Sequence, residues 1–230
     1  VESFAENYPL ADILIDPQFH SLLIKGASIG KLPDYDYYQN NIATIDFISP
    51  RKIAAYVKQV IDYQKQNQIS YIISPTIRFL DFEDQLSAYS LIMANESIDY
   101  HSKIKDPPPL YLALNFFEHA LTNKSKLDGF LDIISSFDVK GFYITIDRTS
   151  TVYNQHIDEA ILTNLLYLIY ALSEVNEYEV VVGYVDIVGL LLQSVGAKAT
   201  ACGWHGSLRH LSYETRTGGR QPRPRYTSIP

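Results

Sequence analysis

One cysteine, one methionine and one tryptophan occur in 230 residues. A lone thiol, Cys202, excludes an internal disulfide framework and suits a reducing compartment, so the cytoplasm is the expected location. No stretch reaches the roughly 18 consecutive apolar residues of a membrane span, and residues 1–8 have neither the basic flank nor the apolar core of a secretion signal. Metal-binding patterns are equally scarce. His20, His101, His119, His156, His205 and His210 form no HExxH or HxH spacing, and no protein-bound metal is expected. There is no GxSxG elbow for a nucleophilic serine, and Cys202 reads as a small apolar filler. No motif therefore names a cofactor or a reaction.

Excess positive charge is missing as well. The net charge of -7 and pI near 5.3 argue against a surface that grips nucleic acid or anionic lipid all round. The distribution is uneven, however. Residues 201–230 hold Arg209, Arg216, Arg220, Arg223 and Arg225 against Glu214 alone, a local +4 that leaves -11 on the first 200 residues. We read residues 1–212 as a single α/β domain and 213–230, with Gly218-Gly219 and three prolines, as an extended basic tail.

What the chain does contain is a series of short apolar runs, each ending on a small or polar residue. They are Ile13–Asp16, Tyr71–Ser74, Tyr111–Asn115, Phe142–Asp147, Val180–Gly183 and Ala199–Gly203. Lacking polar alternation, they read as parallel strands covered on both faces. Between them lie helical stripes. Ser49-Pro50 supplies a capping hydroxyl and a first-turn proline for a helix over 50–67. Phe82, Leu86, Tyr89 and Met93 form a second stripe, and Leu127, Phe130, Leu131 and Ile134 a third. Residues 157–175 are apolar around most of a helix, which suggests a dimer partner. Residues 186–195 form a last helix, stopped by Gly196, with Asp186 placed to cap it.

The fold class expected is α/β with a (β/α) barrel-like layout. Six strands, with Ile42–Phe47 or Arg225–Ile229 as a seventh, fall short of eight, which reads as an incomplete or truncated barrel. The alternative is an open doubly wound parallel sheet. After the first run, Asp16-Pro17-Gln18-Phe19 has no glycine to admit a pyrophosphate, which disfavours a dinucleotide fold.

Parallel folds place their chemistry beyond the carboxyl ends of the strands. Asp16, Ser74, Thr76, Arg78, Asn115, Asp147, Arg148 and Asp186 sit at or just past such ends. Asp147 and Asp16 are the candidate acid and base, and Arg78 and Arg148 candidate anion-binding groups. Competing structural readings have Asp147 capping a helix and Arg78 pairing with Asp81. Asn115, if buried, needs partners that either a ligand or the backbone can supply. Tyr35, Tyr37 and Tyr38 would stack on a base or sugar, or pack on one another.

Residues 183–210 (GYVDIVGLLLQSVGAKATACGWHGSLRH) resemble the last two βα units of phosphate-binding barrels. The resemblance implies ligand contacts at Gly183, Gly203, Trp204 and His205, with Arg209 adding positive charge. The same stretch is similar to tRNA-guanine transglycosylase barrels, implying a barrel and a nucleoside or nucleic-acid ligand. Ala201 stands where that family has its nucleophilic aspartate, and its three-Cys, one-His zinc set is missing, so the exchange reaction is not implied. The sequence thus suggests a rim that binds a phosphorylated or nucleotide-like small molecule. The rival reading is a non-catalytic module that self-associates and contacts nucleic acid or an acidic partner through its basic tail.

Overall fold

The computed structural model describes residues 7, 11–24, 32–38, 42–67, 69–149, 158–202 and 210–213. Helices form where the apolar stripes fall. Helix α1 (Pro50–Lys65) buries Ile53, Val57, Val60 and Ile61. Ser49 occupies its N-cap, but the hydroxyl makes no capping bond. The Lys52 and Ile53 N–H groups are instead both taken by the Ser49 main-chain oxygen, at 3.0 and 3.1 Å. Side-chain caps do start the next three helices, satisfying N–H groups that a helix leaves open. Asp84 accepts from Ser87 N–H at α2 (Gln85–His101), Asn123 from Lys126 at α3 (Lys124–Ile134), and Asp158 from Ala160 at α4 (Glu159–Tyr170). Helix α5 (Val188–Ser194) is followed by Gly196 at φ +108°, a conformation favouring glycine. Its N-cap position falls on Ile187, so Asp186 does not cap it.

The strands are β1 (Ile72–Ile73), β2 (Arg78–Phe79), β3 (Leu110–Phe117), β4 (Gly141–Asp147), β5 (Glu179–Gly183) and β6 (Ala199–Thr200). Every ladder is parallel. The sheet runs β1-β3-β4-β5-β6, with β2 also on β3, and Leu14 bridges Tyr71 beyond β1. Spatial order therefore follows chain order. Parallel crossovers are almost always right-handed, so consecutive neighbours send all their helices to one side.

Two clusters of buried side chains show this. Leu110, Leu112, Leu114, Phe116, Phe142, Ile144, Val180 and Val182 meet the buried faces of all five helices. The alternate positions Ile73, Tyr111, Ala113, Tyr143 and Val181 form a separate, smaller cluster on the other face, joined by Leu14 and Tyr71. That face is concave. Four strand spacings between β1 and β6 amount to about 19 Å on a flat sheet, yet the Lys198 ammonium, next to β6, reaches the Tyr71 hydroxyl beside β1 at 3.4 Å.

The α/β expectation with a parallel sheet is borne out. The doubly wound alternative needs helices on both faces, and the described helices cover one. Among the described residues no ladder joins Leu14 to β6. The extra strand anticipated at Ile42–Phe47 is instead a 3-10 turn, Thr44–Ile48. Asp46 folds back to accept the Ala43 N–H at 3.0 Å and pairs with Lys52 across the start of α1, which an extended chain could not do. In α4 the chain's own core buries Ile161, Leu165, Leu168 and Ile169, leaving Tyr170 exposed, so its apolar circumference needs no second copy. No helix among the described residues is long and apolar enough to cross a membrane.

Where β1 gives way to β2 the ladder to β3 is interrupted. Ile73 pairs with Tyr111 and Arg78 with Asn115, so five steps along one chain match four along the other. Pro75 has no N–H to offer the gap. Ser74 fills part of it, its hydroxyl accepting the Ala113 N–H at 2.9 Å.

At the amino ends of the strands Glu179 joins three elements. It accepts from the Tyr111 phenol, lies 2.7 Å from Lys198 and 2.9 Å from Lys140. Burial pushes its carboxyl up, but these donors outweigh burial and hold it at about 2, against an ordinary 4.5. A depressed carboxyl stabilises the fold above its unfolded value and loses that contribution as pH falls towards the folded one. Stability should therefore decline between about pH 4.5 and 2, and Glu179→Gln should flatten that limb of a urea-unfolding series. The glycines give a second check. A Cβ at Gly141 would collide with the Glu179 main-chain oxygen, whereas one at exposed Gly129 of α3 meets nothing within 4 Å. Gly141→Ala should lose about 1–3 kcal/mol in denaturant unfolding, and Gly129→Ala should gain about 0.5–1 kcal/mol.

Candidate functional site at the carboxyl rim

The concave face becomes polar towards the carboxyl ends of the strands. Asn115 on β3, Thr145 and Asp147 on β4 and Arg78 on β2 succeed the apolar cluster there. Asp147 is 2% exposed and ion-paired with Arg78, whose side chain is 23% exposed. The Arg78 guanidinium lies 5.3 Å from the centre of the Phe117 ring and 5.7 Å from that of Tyr213. Burial raises the Asp147 carboxyl above its usual range, against the pull of Arg78 and of the Tyr213 N–H, 3.0 Å away. Asn115 is fully buried and donates to Thr145 Oγ1 at 2.7 Å.

Asp16, two residues past the bridge of Leu14 to Tyr71, stands at the same rim. Its carboxylate accepts from the Tyr143 hydroxyl at 3.2 Å, the Tyr184 hydroxyl at 3.1 Å and the Gln18 N–H at 2.9 Å. Gln18 also donates to Tyr184 through Nε2 at 3.1 Å. Both residues hold left-handed backbones, φ 49° and 57°, a strain that persists only where surroundings impose it and that collects at functional sites. Burial raises the phenols of Tyr143, Tyr184 and Tyr213, and the charge of Asp16 raises them further. At neutral pH they are donors. His20 is 3% exposed and burial lowers it, so it is neutral there.

Residues 210–213 cross this rim. Leu211 bridges Asp147 in parallel and accepts the Arg148 N–H at 2.9 Å. The Tyr213 hydroxyl lies 3.4 Å from Ser21 Oγ, and its ring meets His20 edge-on at 6.0 Å.

The sequence candidates thus divide. Asp16, Arg78, Asn115 and Asp147 share the rim. Arg78 pairs with Asp147 and not with Asp81, which binds Lys126, and Asp147 caps no helix. Arg148 turns to Glu118, with Nε 3.1 Å from the carboxylate; Thr149 bonds the same carboxylate through N–H and hydroxyl. This arginine is held by a buried acid and does not face the rim as an open anion site. Gly183 has a packing duty, because a Cβ there would sit 2.5 Å from the Tyr143 hydroxyl. Tyr37 is buried and donates to Pro17 O at 2.7 Å, while Tyr35, Tyr37 and Tyr63 pack ring on ring. Gly203, Trp204, His205 and Arg209 lie outside the described residues. Sequence reasoning missed Tyr143, Tyr184, Tyr213, His20 and Glu118. Only Tyr143 had a signal, since it stands two and four positions before Thr145 and Asp147 on one face of a strand.

Among the described residues no group of three His, Cys, Asp or Glu is placed to hold a metal ion. Also among the described residues, three buried side-chain polar atoms have no hydrogen-bond partner: Arg78 Nε, Asn115 Oδ1 and Ser212 Oγ. All three fall at this rim.

A buried ion pair beside unsatisfied groups adds little to stability, because desolvation offsets the attraction. Asp147→Asn, which mimics the protonated carboxyl, should therefore stay within about 1 kcal/mol of the parent in denaturant unfolding, as should Arg78→Met with Asp147→Leu. No family model, curated protein or solved structure matches the chain, so these residues carry the functional argument themselves.

Proposed function

We propose that the protein binds a phosphorylated or nucleotide-like small molecule at the carboxyl rim of its parallel strands, with Asp16 and Asp147 facing the hydroxyl-bearing part of the ligand. The observation that carries this reading is the gathering at one place of the three unpartnered buried polar atoms found among the described residues. Native proteins pair nearly all such groups, so each exception calls for an explanation, and a bound ligand supplies one for the cluster at this rim. Arg78 Nε–H is a donor and Asn115 Oδ1 an acceptor on register neighbours, a combination that a ligand hydroxyl satisfies at once.

The chemistry available is hydrogen bonding and proton exchange. Asp16, held by two phenols and a main-chain N–H, accepts from ligand hydroxyls. Asp147, raised by burial, is the carboxyl suited to carry a proton.

Thermal unfolding with adenosine 5′-monophosphate, ribose 5-phosphate and inorganic phosphate tests the reading. Ligand at a hundred times its Kd should raise Tm by about 5–10 °C, and Asp16→Asn should weaken binding at least about tenfold, the worth of one good hydrogen bond to a charged group. Unchanged Tm values at millimolar concentrations of all three would reject it.

A further inference from the structure

Residues 210–213 make contacts of the kind a ligand would make. The main-chain N–H of Tyr213 donates to Asp147 Oδ1 at 3.0 Å, the Leu211 carbonyl accepts from the Arg148 N–H at 2.9 Å, and the Tyr213 hydroxyl approaches Ser21 Oγ at 3.4 Å. The Tyr213 ring faces the Arg78 guanidinium, which has the Phe117 ring against it as well, and meets His20 edge-on. A planar cation between aromatic groups is a slot for a flat π system.

The segment also fits imperfectly. Ser212 Oγ, within it, is buried without a partner, and so are Nε of the arginine it covers and Oδ1 of that arginine's register neighbour. A permanent piece of core would be expected to meet such needs. Tyr213 and Leu211 satisfy Asp147 and Arg148 while leaving those of Arg78 and Asn115 open.

We infer that residues 210–213 are a strap that stands in for a ligand, Tyr213 filling against Arg78 the slot that the planar ring of the ligand takes when it displaces the strap. This rests on the binding reading above and narrows its ligand class to molecules that join a flat aromatic ring to a hydroxylated, phosphorylated part. The ring replaces Tyr213 on Arg78, while ligand hydroxyls meet Arg78 Nε and Asn115 Oδ1. The strap thus sets the binding strength of ring-bearing ligands, because a ring that enters the slot must first displace Tyr213.

The test compares adenosine 5′-monophosphate with ribose 5-phosphate by calorimetry on the full chain, its Tyr213→Ala variant and its Tyr213→Phe variant, with amide exchange of residue 148 followed in the parent. The expected result is adenosine 5′-monophosphate binding at least tenfold tighter to Tyr213→Ala than to the parent. Ribose 5-phosphate should gain less, and Tyr213→Phe, which keeps the ring, should behave as the parent. In the parent, the nucleotide should accelerate exchange at the Arg148 amide, which needs no variant to fold. Equal nucleotide affinity in all three proteins, with that amide still protected in the complex, overturns the strap and leaves the binding site standing. An equal gain for both ligands overturns the assignment of the slot to a ring. Failure of both ligands to bind parent and variants alike overturns the binding reading and this inference with it.

Discussion

The parallel pairing of β3 with β4 over seven consecutive residues, from Tyr111 opposite Gly141 to Phe117 opposite Asp147, sets the geometry of everything around it. Side chains alternate across a strand, so this register decides which residues face the helices and which face the hollow. Leu112, Leu114 and Phe116 meet Phe142, Ile144 and Ile146 under the helices. Asn115, Thr145 and Asp147 are left on the other side. A slip of one residue would bury the carboxylate of Asp147 among the phenylalanines around Phe79 and turn Ile146 towards the rim. The apolar demand of the helix layer therefore protects the polar arrangement opposite it.

The two ends of the concave face treat their carboxylates in opposite ways. At the amino end Glu179 is surrounded by donors from Tyr111, Lys140 and Lys198, and its carboxyl is held low. At the carboxyl end burial wins over Arg78 and Asp147 is held high. By linkage, ionised Glu179 favours the fold, whereas ionising Asp147 works against it as pH rises past the ordinary carboxylate range. One end reads as a fastening, the other as a place where stability is given up. Strained Gln18 and Tyr184 and the unpartnered atoms of Arg78 and Asn115 belong to the second.

The strand and helix pattern was legible because burial leaves a local imprint. Continuous apolar runs marked β3, β4 and β5, and Gly196 marked the end of α5. Asp16, Arg78, Asn115 and Asp147 could be nominated because they follow such runs. Other features had no local imprint. Glu118 takes Arg148 across the β3–β4 gap, and Tyr213 arrives from a segment 66 residues beyond Asp147. Ile42–Phe47 has the composition of a strand, yet a side chain bonding its own backbone at Asp46 bends it into a turn. Asp186 has the residue type of a cap, but the helix starts too late for it to serve.

The broken ladder between β1 and β2 has a further consequence. Ile73 points into the hollow, so unbroken alternation would bring residues 75, 77 and 79 to the same side. The surplus residue shifts the phase by one, and Ile77 and Phe79 join the helix side while Arg78 turns inwards beside Asn115. The only cation that pairs with Asp147 in the described rim thus owes its orientation to an inserted step in the chain at Ser74–Ile77. Regular pairing of the same residues would put the Phe79 ring in the hollow in place of the guanidinium, whereas deleting one residue from the passage would remove the surplus step and keep the arginine opposite Asn115.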